Sequence, residues 1–321
     1  MSKRTKRKTC VIYDLTTAPH GYKHDLMRAF GAGCKHIGIT AIHEPGMLLH
    51  DSDYSLIFNY QMIRGRKDGH QLRMDVFKKQ TEKNGNIWMF DSDVLITFSL
   101  CKTSPSNNWV RVPFGNVYPD KTKYFNQDSP ADRWNKIAKV KNIVMKDWRK
   151  GGKYILICLN RGSGGYSAHG VNAANWAIGV YEELRKHTDR PIKIRMHPGQ
   201  GYPSYKKDLK RLTKHCSDHP DCELTGGRHD PFHIMQDMKT AHSVIIFTST
   251  AGAPAVVEGI PLFVEHSSSY LYSMRAGELK DIENPNYKIN RKQFLNDYGY
   301  SHWSIEELRD GHYHRRVKDL I

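Results

Sequence analysis

The chain has 321 residues and a formal net charge of +16 at pH 7, with 26% charged, 39% hydrophobic and 11% aromatic residues. This aromatic content excludes an intrinsically disordered chain, and 25 glycines with 14 prolines exclude a collagen-like or mucin-like one. At roughly 100 to 200 residues per domain, the length predicts two domains.

The first half alternates between strand-like and helix-like segments. Short apolar runs separate segments in which apolar residues recur at the helical period. The predicted strands are Cys10–Leu15, Ser55–Tyr60, Ile87–Phe90 and Val94–Phe98, and the predicted helices are Lys23–Phe30 and Asp68–Lys83. This order is typical of a parallel sheet covered by helices. Residues 99–130 are rich in proline and asparagine and predict a loop region.

A second alternation follows a predicted helix, Ala131–Lys150, whose end is indicated by Gly151 and Gly152. The next predicted strands are Lys153–Asn160, Ile192–His197, Cys222–Leu224, Ser243–Phe247 and Pro261–His266. The helices between them are Asn172–His187, Ser204–Cys216, Pro231–Met238 and Ala251–Glu258. This pattern predicts a second Rossmann-like half. Ser304 and Glu307 have capping-box spacing for one more helix.

These patterns predict an α/β protein with two Rossmann-like domains. We expect an N-terminal domain at 1–130, a C-terminal domain at 131–291, and a helical tail at 292–321 that can pack back on the first domain. No run of about 18 apolar residues is present, and the basic residues 1–8 precede no signal-peptide core. We therefore expect a cytoplasmic monomer that has no membrane partner.

The loops after the strands of the second half share small and cationic residues. In open α/β sheets, ligands bind outside the carboxyl ends of the strands. The residues that follow these strands and can bind a diphosphate are Arg161, Gly162, Ser163, Arg195, His197, Arg228, Ser249, Thr250 and Gly252. Glycines let backbone N–H groups approach an anion, and arginine offers a bidentate fork. Taken singly, each loop can also be an ordinary turn, and Arg195 can form a salt bridge to a neighbouring carboxylate.

Glu258 ends the helix that follows the Ser249 loop. A carboxylate at that place can accept both hydroxyls of a ribose, as in dinucleotide-binding folds. The alternative is a solvent-exposed glutamate at a helix end.

Residues 243–261, together with Arg195-Met-His-Pro198, resemble the nucleotide-sugar half of GT-B glycosyltransferases and related polysaccharide transferases. The resemblance covers about 110 residues. It implies two Rossmann-like domains facing across a cleft, a nucleotide-sugar donor such as a UDP-sugar, and no divalent metal required for the fold. It also implies diphosphate contacts by Ser249, Thr250 and Gly252 and a ribose contact by Glu258, with Arg195 and His197 as further members of the site.

The positive charge of the first half predicts a polyanionic acceptor. Basic residues there alternate with Tyr60, Trp109, Phe114 and Tyr118, which can stack on or wedge beside a flipped base. With the GT-B resemblance, this favours a phage-type glycosyltransferase that modifies hydroxymethylcytosine or another 5-hydroxymethylpyrimidine in double-stranded DNA. A GT-B transferase or epimerase of cell-surface or capsule sugars, and a non-catalytic nucleic-acid-binding protein, remain the alternatives.

An inverting reaction requires a base near the acceptor and cations near the leaving diphosphate. Asp91 follows a predicted strand and is the preferred base, and His20, after the first strand, is its rival. Arg161 and Arg195 are expected to stabilise the leaving group. The sequence leaves open whether the reaction inverts or retains the anomeric configuration.

The six cysteines are scattered, and several lie in strand-like runs, so reduced structural thiols are expected. Cys216 and Cys222 lie near His215 and His219, but a second close cysteine pair is missing, which disfavours a zinc site.

Overall fold

A computed structural model describes residues 7–14, 22–58, 70–83, 86–91, 109–115, 122–161, 166, 169–199, 204–227 and 234–321. The chain divides into two compact units. Unit 1 comprises Met1–Ile96, Cys101–Lys136 and Asn296–Ile321, and unit 2 comprises Thr97–Leu100 and Ile137–Leu295.

Unit 1 contains a four-stranded parallel sheet with the order β2-β1-β3-β4. Its strands are β1 (Thr9–Tyr13), β2 (Thr40–Glu44), β3 (Tyr54–Phe58) and β4 (Ile87–Phe90), and its first helices are α1 (Tyr22–Cys34) and α2 (His70–Lys83). Strand β2 was not predicted, because this edge strand is short and mostly exposed and lacks an apolar run. The predicted strand Val94–Phe98 lies outside the described residues.

The end of the chain belongs to unit 1. Strand β11 (His302–Ser304) pairs antiparallel with β5 (Trp109–Arg111), and α9 (Ile305–Arg309) and α10 (His312–Val317) follow it. The predicted capping box is confirmed, because Ser304 and Glu307 each accept the other's backbone N–H. Tyr313 joins the core, where its hydroxyl accepts a 2.8 Å hydrogen bond from Trp88 Nε1.

Unit 2 is built on a five-stranded parallel sheet with the order β10-β9-β6-β7-β8. The strands are β6 (Tyr154–Cys158), β7 (Ile192–Met196), β8 (Cys222–Gly226), β9 (Ala241–Ile246) and β10 (Leu262–Val264). The helices between them are α4 (Ala173–Leu184), α5 (Tyr205–Asp218), α6 (Ile234–Met238) and α7 (Gly252–Val257), and α8 (Arg291–Tyr300) leads back into unit 1.

The predicted helix Ala131–Lys150 is wrong in its second half. Helix α3 covers only Asp132–Lys141. Asn142 then adopts a left-handed conformation (φ 52°), which ends the helix. The following segment is held by backbone hydrogen bonds from Lys146 to Val257 and from Arg149 to Gly259.

The α/β class with two parallel, Rossmann-like sheets is confirmed, because each unit contains a parallel sheet and helices that connect its strands. Across the described ranges, we find no helix with the length and apolar character needed to span a bilayer.

Candidate functional site

The loops after β6 and β9 are tied together at the carboxyl edge of the unit 2 sheet. Asn160 Nδ2 donates to Thr248 Oγ1 at 3.0 Å, and the Thr248 N–H donates back to Asn160 Oδ1 at 3.2 Å. Because β6 and β9 are neighbouring parallel strands, this pair brings Arg161 and Ser249, the next residue of each loop, to the same edge.

Arg161 lies beside His197, which follows β7. The imidazole Nδ1 of His197 accepts the Gly199 N–H at 2.9 Å, so the neutral ring carries its proton on Nε2. Burial and the nearby Arg161 charge lower the pKa of His197 to about 4. His197 is therefore neutral at pH 7, with its Nε2–H available as a donor.

The guanidinium of Arg161 is partly buried, and its Nε has no hydrogen-bond partner among the described residues. No carboxylate of the described chain forms an ion pair with it. A cation without a counter-ion next to a neutral N–H donor is suited to an anionic ligand such as a phosphate. Gly162, Ser163 and Arg228, which were predicted to join this site, lie outside the described residues.

Unlike Arg161, Arg195 forms a salt bridge within the described part of the protein. Its side chain is 8% exposed, and its Nη1 donates to the Asp237 carboxylate. Asp237 also accepts a 3.3 Å hydrogen bond from Thr225 Oγ1. The structure thus shows the salt bridge that the sequence analysis gave as the alternative for Arg195, and the role of Arg195 at a leaving group stays a prediction.

Ser249, Thr250 and Gly252 form the turn from β9 into α7. Ser249 is buried, and its hydroxyl accepts the Ala251 N–H at 3.3 Å. A Cβ atom on Gly252 would lie only 2.8 to 3.0 Å from the side chains of Ile246, Leu271 and Leu262. Gly252 is therefore required for packing α7 on the sheet, which explains this glycine without a diphosphate.

Glu258 does not lie at this edge. Helix α7 starts after the carboxyl end of β9 and returns to the amino end of β10, since these strands are parallel. Glu258 follows α7 and pairs with Lys146 Nζ at 2.5 Å. The neighbouring Gly259 accepts the N–H of Arg149, in the segment that precedes β6. Helix α7 lies between Thr250 and Glu258, which disfavours the shared donor site predicted for them, and the ribose contact of Glu258 stays a prediction.

A histidine cluster that sequence reasoning missed lies beside Phe247 in unit 2. Ser268 Oγ is 3.0 Å from His169 Nε2 and 2.8 Å from His266 Nδ1, and the Ser268 N–H also donates to that Nδ1. His266 Nδ1 is thus an acceptor, and a neutral His266 presents Nε2–H as a donor. The carboxyl-end rule applied to the loop after β10 would have found His266 and Ser268.

In unit 1, the predicted base Asp91 forms an ion pair with Arg111. Arg111 is buried, which opposes its charge, but Tyr124 and Asp91 hold the pKa of Arg111 above its ordinary value. A base that pairs with a buried cation is a poor proton acceptor, because protonating it removes the negative charge that stabilises that cation. The rival base, His20, lies outside the described residues.

A second carboxylate in unit 1, Asp14, is better placed than Asp91 to support a general base. Asp14 directly follows β1, has a side chain only 5% exposed, and pairs with His24 Nδ1. His24 Nε2 accepts a 2.6 Å hydrogen bond from Nε of the exposed Arg28. The carboxylate orients the imidazole with Nδ1–H inward and the Nε2 lone pair outward, as a general base requires. The polar residue after a strand signalled Asp14, but only the fold brings His24 to it.

Trp109 and Phe114 do not form a surface for base stacking. Both belong to the hydrophobic core of unit 1 and are about 5% exposed. Tyr60 and Tyr118 lie outside the described residues. Several basic residues of the described part of unit 1 are also engaged, since Lys79 and Lys83 pair with Asp51 and Lys78 with Glu82.

Within the described ranges, no three His, Cys, Asp or Glu side chains converge in a way that would hold a metal ion.

No protein-family model matches the chain, and no curated protein matches it in sequence. Among solved structures, it is similar to KpsC of Thermosulfurimonas dismutans, a beta Kdo 2,4 transferase, with a TM-score of 0.53 and 8% sequence identity. That similarity covers 91% of this chain and 90% of the other. A beta Kdo 2,7 transferase, also KpsC of that organism, has a TM-score of 0.45 and 10% identity over 96% of this chain and 99% of the other, a likeness too weak to argue from. The similarity to the beta Kdo 2,4 transferase supports the α/β fold described above.

Proposed function

We propose that this chain is a glycosyltransferase of the GT-B type, which transfers a sugar from a nucleotide-activated donor to a carbohydrate acceptor. The observation that carries the proposal is the cation site at the carboxyl edge of the unit 2 sheet, where no described carboxylate pairs with Arg161 and His197 offers an N–H. Ligands of open α/β sheets bind at such an edge. The fold shared with a Kdo transferase over nine tenths of both chains supports the same reading.

The donor's phosphate is the group that this site fits. A phosphate can accept from the Arg161 guanidinium and from His197 Nε2–H, and each such charge-assisted hydrogen bond contributes about 1.5 to 3 kcal/mol. The departing phosphate gains negative charge in the transition state, so the same cation that binds the donor also stabilises the leaving group. A UDP-sugar remains the expected donor.

For the group that activates the acceptor, we propose His24 of unit 1. His24, oriented by Asp14, takes the proton of the acceptor hydroxyl, and this role replaces that predicted for Asp91. The exposed Arg28 must leave His24 Nε2 when the acceptor binds.

A cell-surface or capsule carbohydrate is favoured as acceptor over DNA. The structural neighbour transfers Kdo, an acidic sugar, and the net charge of +16 suits an acidic glycan. The burial of Trp109 and Phe114 removes two of the residues on which the DNA reading rested. DNA remains the second candidate, since a polyanionic acceptor of either kind fits the charge.

The test has two stages. Thermal shifts with UDP, CMP, GDP and ADP identify the nucleotide, and Arg161→Gln should reduce the shift that the best of them produces. Nucleotide release from the matching sugar donors is then measured with acidic oligosaccharides, with hydroxymethylated DNA and with unmodified DNA. Failure of every nucleotide to bind overturns the proposal, and turnover with hydroxymethylated DNA alone establishes the second candidate.

A further inference from the structure

Two thiols meet at the start of the edge strand of the unit 2 sheet. Cys216 lies in the last turn of α5, and Cys222 is the first residue of β8. Their Sγ atoms are 2.9 Å apart. Both are free thiols, and only five residues, Ser217–Asp221, separate them along the chain.

The two thiols differ in access to solvent. Cys216 is partly exposed, and its neighbours Ser217 and Asp218 are exposed, whereas Cys222 is buried with 7% of its surface accessible. The hydrogen bond from Cys222 lowers the pKa of Cys216, and the same contact raises the pKa of Cys222. The accessible thiol of the pair is thus also the one that ionises first, which is the arrangement of an attacking cysteine with a resolving partner.

We propose that Cys216 and Cys222 are a redox modification site that closes to an intramolecular disulfide when it meets a low-molecular-weight disulfide such as oxidised glutathione. The Cys216 thiolate attacks one glutathione sulfur, which forms a mixed disulfide and releases one glutathione thiolate. Cys222 loses its proton to solvent and attacks Cys216 Sγ, which releases the second glutathione. The protein loses two protons and two electrons, and one oxidised glutathione becomes two reduced ones.

None of the other described cysteines combines access to solvent with a lowered pKa and a neighbouring thiol. Cys10, Cys34 and Cys158 are at most 2% exposed. Contact with Cys10 and His314 lowers the pKa of Cys34 to about 6, but this thiol has no exposed surface through which glutathione could reach it. These three thiols serve as internal controls, because a folded chain should keep them reduced.

The experiment equilibrates the full, folded chain with reduced and oxidised glutathione and maps its disulfides by peptide mass spectrometry. We expect one linked peptide pair, joining Cys216 to Cys222, with unmodified Cys10, Cys34 and Cys158. The disulfide should raise the melting temperature by several degrees, since it links the end of α5 to the edge strand. A chain with no Cys216–Cys222 link at oxidising ratios that do link the two cysteines in the unfolded chain overturns the proposal.

Two matched variants test the order of the steps. Cys222→Ser should accumulate glutathione on Cys216, because no resolving thiol remains. Cys216→Ser should leave Cys222 unmodified, because a buried thiol is not reached. Equal glutathione addition to Cys222 and Cys216 in these variants contradicts the assigned roles. The readout requires no enzymatic activity, so this proposal stands or falls separately from the proposed function.

Discussion

The guanidinium of Arg161 and the imidazole of His197 lie side by side at the carboxyl edge of the unit 2 sheet, and this proximity, with burial, keeps His197 neutral at pH 7. A second positive charge would repel Arg161, whereas a neutral N–H donor can share an anion with it. The pair therefore has the chemistry of an anion site in its unliganded state.

Arg161→Gln should weaken binding of the nucleotide identified by thermal shift. Loss of one charge-assisted hydrogen bond of about 1.5 to 3 kcal/mol corresponds to roughly 10-fold to 100-fold in Kd. The measurement is isothermal titration calorimetry. The matched control is Arg185→Gln, since Arg185 pairs with Asp221 in the same unit. Equal affinities of the Arg161 variant and the wild type would remove Arg161 from the site.

His197 should make nucleotide binding depend on pH. Its pKa is about 4 in the free protein, against an ordinary value of 6.5. A bound phosphate favours the protonated ring and raises that pKa, so nucleotide affinity should increase as the pH falls from 7 towards 5. Proton uptake on binding, measured by calorimetry in buffers of different ionisation enthalpy, should vanish in His197→Asn. A wild-type affinity that falls with decreasing pH contradicts this assignment.

His24→Gln and Asp14→Asn should each lower turnover by about 100-fold or more while the donor Kd stays unchanged. The reason is that both variants remove the oriented imidazole base but leave the nucleotide site in unit 2 intact. His50→Gln is the matched control, because His50 also pairs with a carboxylate, Glu44, in unit 1. Asp91→Asn should mainly lower stability, since it removes the negative charge that pairs with the buried Arg111. If His24→Gln kept full activity and Asp91→Asn were stable but inactive, the role of general base would belong to Asp91.

Glu258→Gln should leave nucleotide affinity unchanged. Glu258 pairs with Lys146, whose side chain is 58% exposed, so losing the pair should lower the free energy of unfolding by no more than about 1 kcal/mol. Lys146→Met should lower stability more than Glu258→Gln does, because it removes the cation that pairs with the Glu258 carboxylate, which is only 12% exposed. A selective loss of nucleotide binding in Glu258→Gln, absent from Lys146→Met, would restore the ribose contact predicted from the sequence.

Glu307 should make unit 1 sensitive to acid. Burial opposes its charge, but Arg133 forms a bidentate pair with Glu307, and with Lys136 it lowers the pKa of Glu307 to about 2. The folded value lies below the ordinary 4.5, so the stabilisation is complete above pH 4.5 and is lost as the pH falls to about 2.

Glu307→Gln should therefore lower the free energy of unfolding by on the order of 3 kcal/mol at pH 7, and by much less near pH 2.5. Urea unfolding at both pH values measures this difference. The exposed neighbour provides the control variant, Glu306→Gln, which should change stability little at either pH. An equal loss of unfolding free energy at pH 7 and pH 2.5 would show that side-chain shape, and not charge, explains the effect of Glu307→Gln.

The sequence by itself determined the α/β class and most of the strands, because buried parallel strands such as β6 and β9 consist of continuous apolar runs that lie between turn residues. It also determined the Ser304–Glu307 cap, since a capping box depends on residues three positions apart. It also predicted that Arg161 and His197 lie near one another, because the carboxyl ends of parallel strands share one edge of the sheet.

Only the tertiary structure decided which polar residues have partners. Glu258 and Lys146 are 112 positions apart along the chain, and Asp91 and Arg111 are 20 apart, so no local pattern reveals either pair. Likewise, Asp14 and His24 form a pair, and the rings of His169 and His266 pack together although these residues are far apart in sequence. Periodicity and capping depend on residues only a few positions apart, whereas the pairing of a charged side chain depends on long-range packing. Only that packing shows whether a cation is available for a ligand or already paired within the protein.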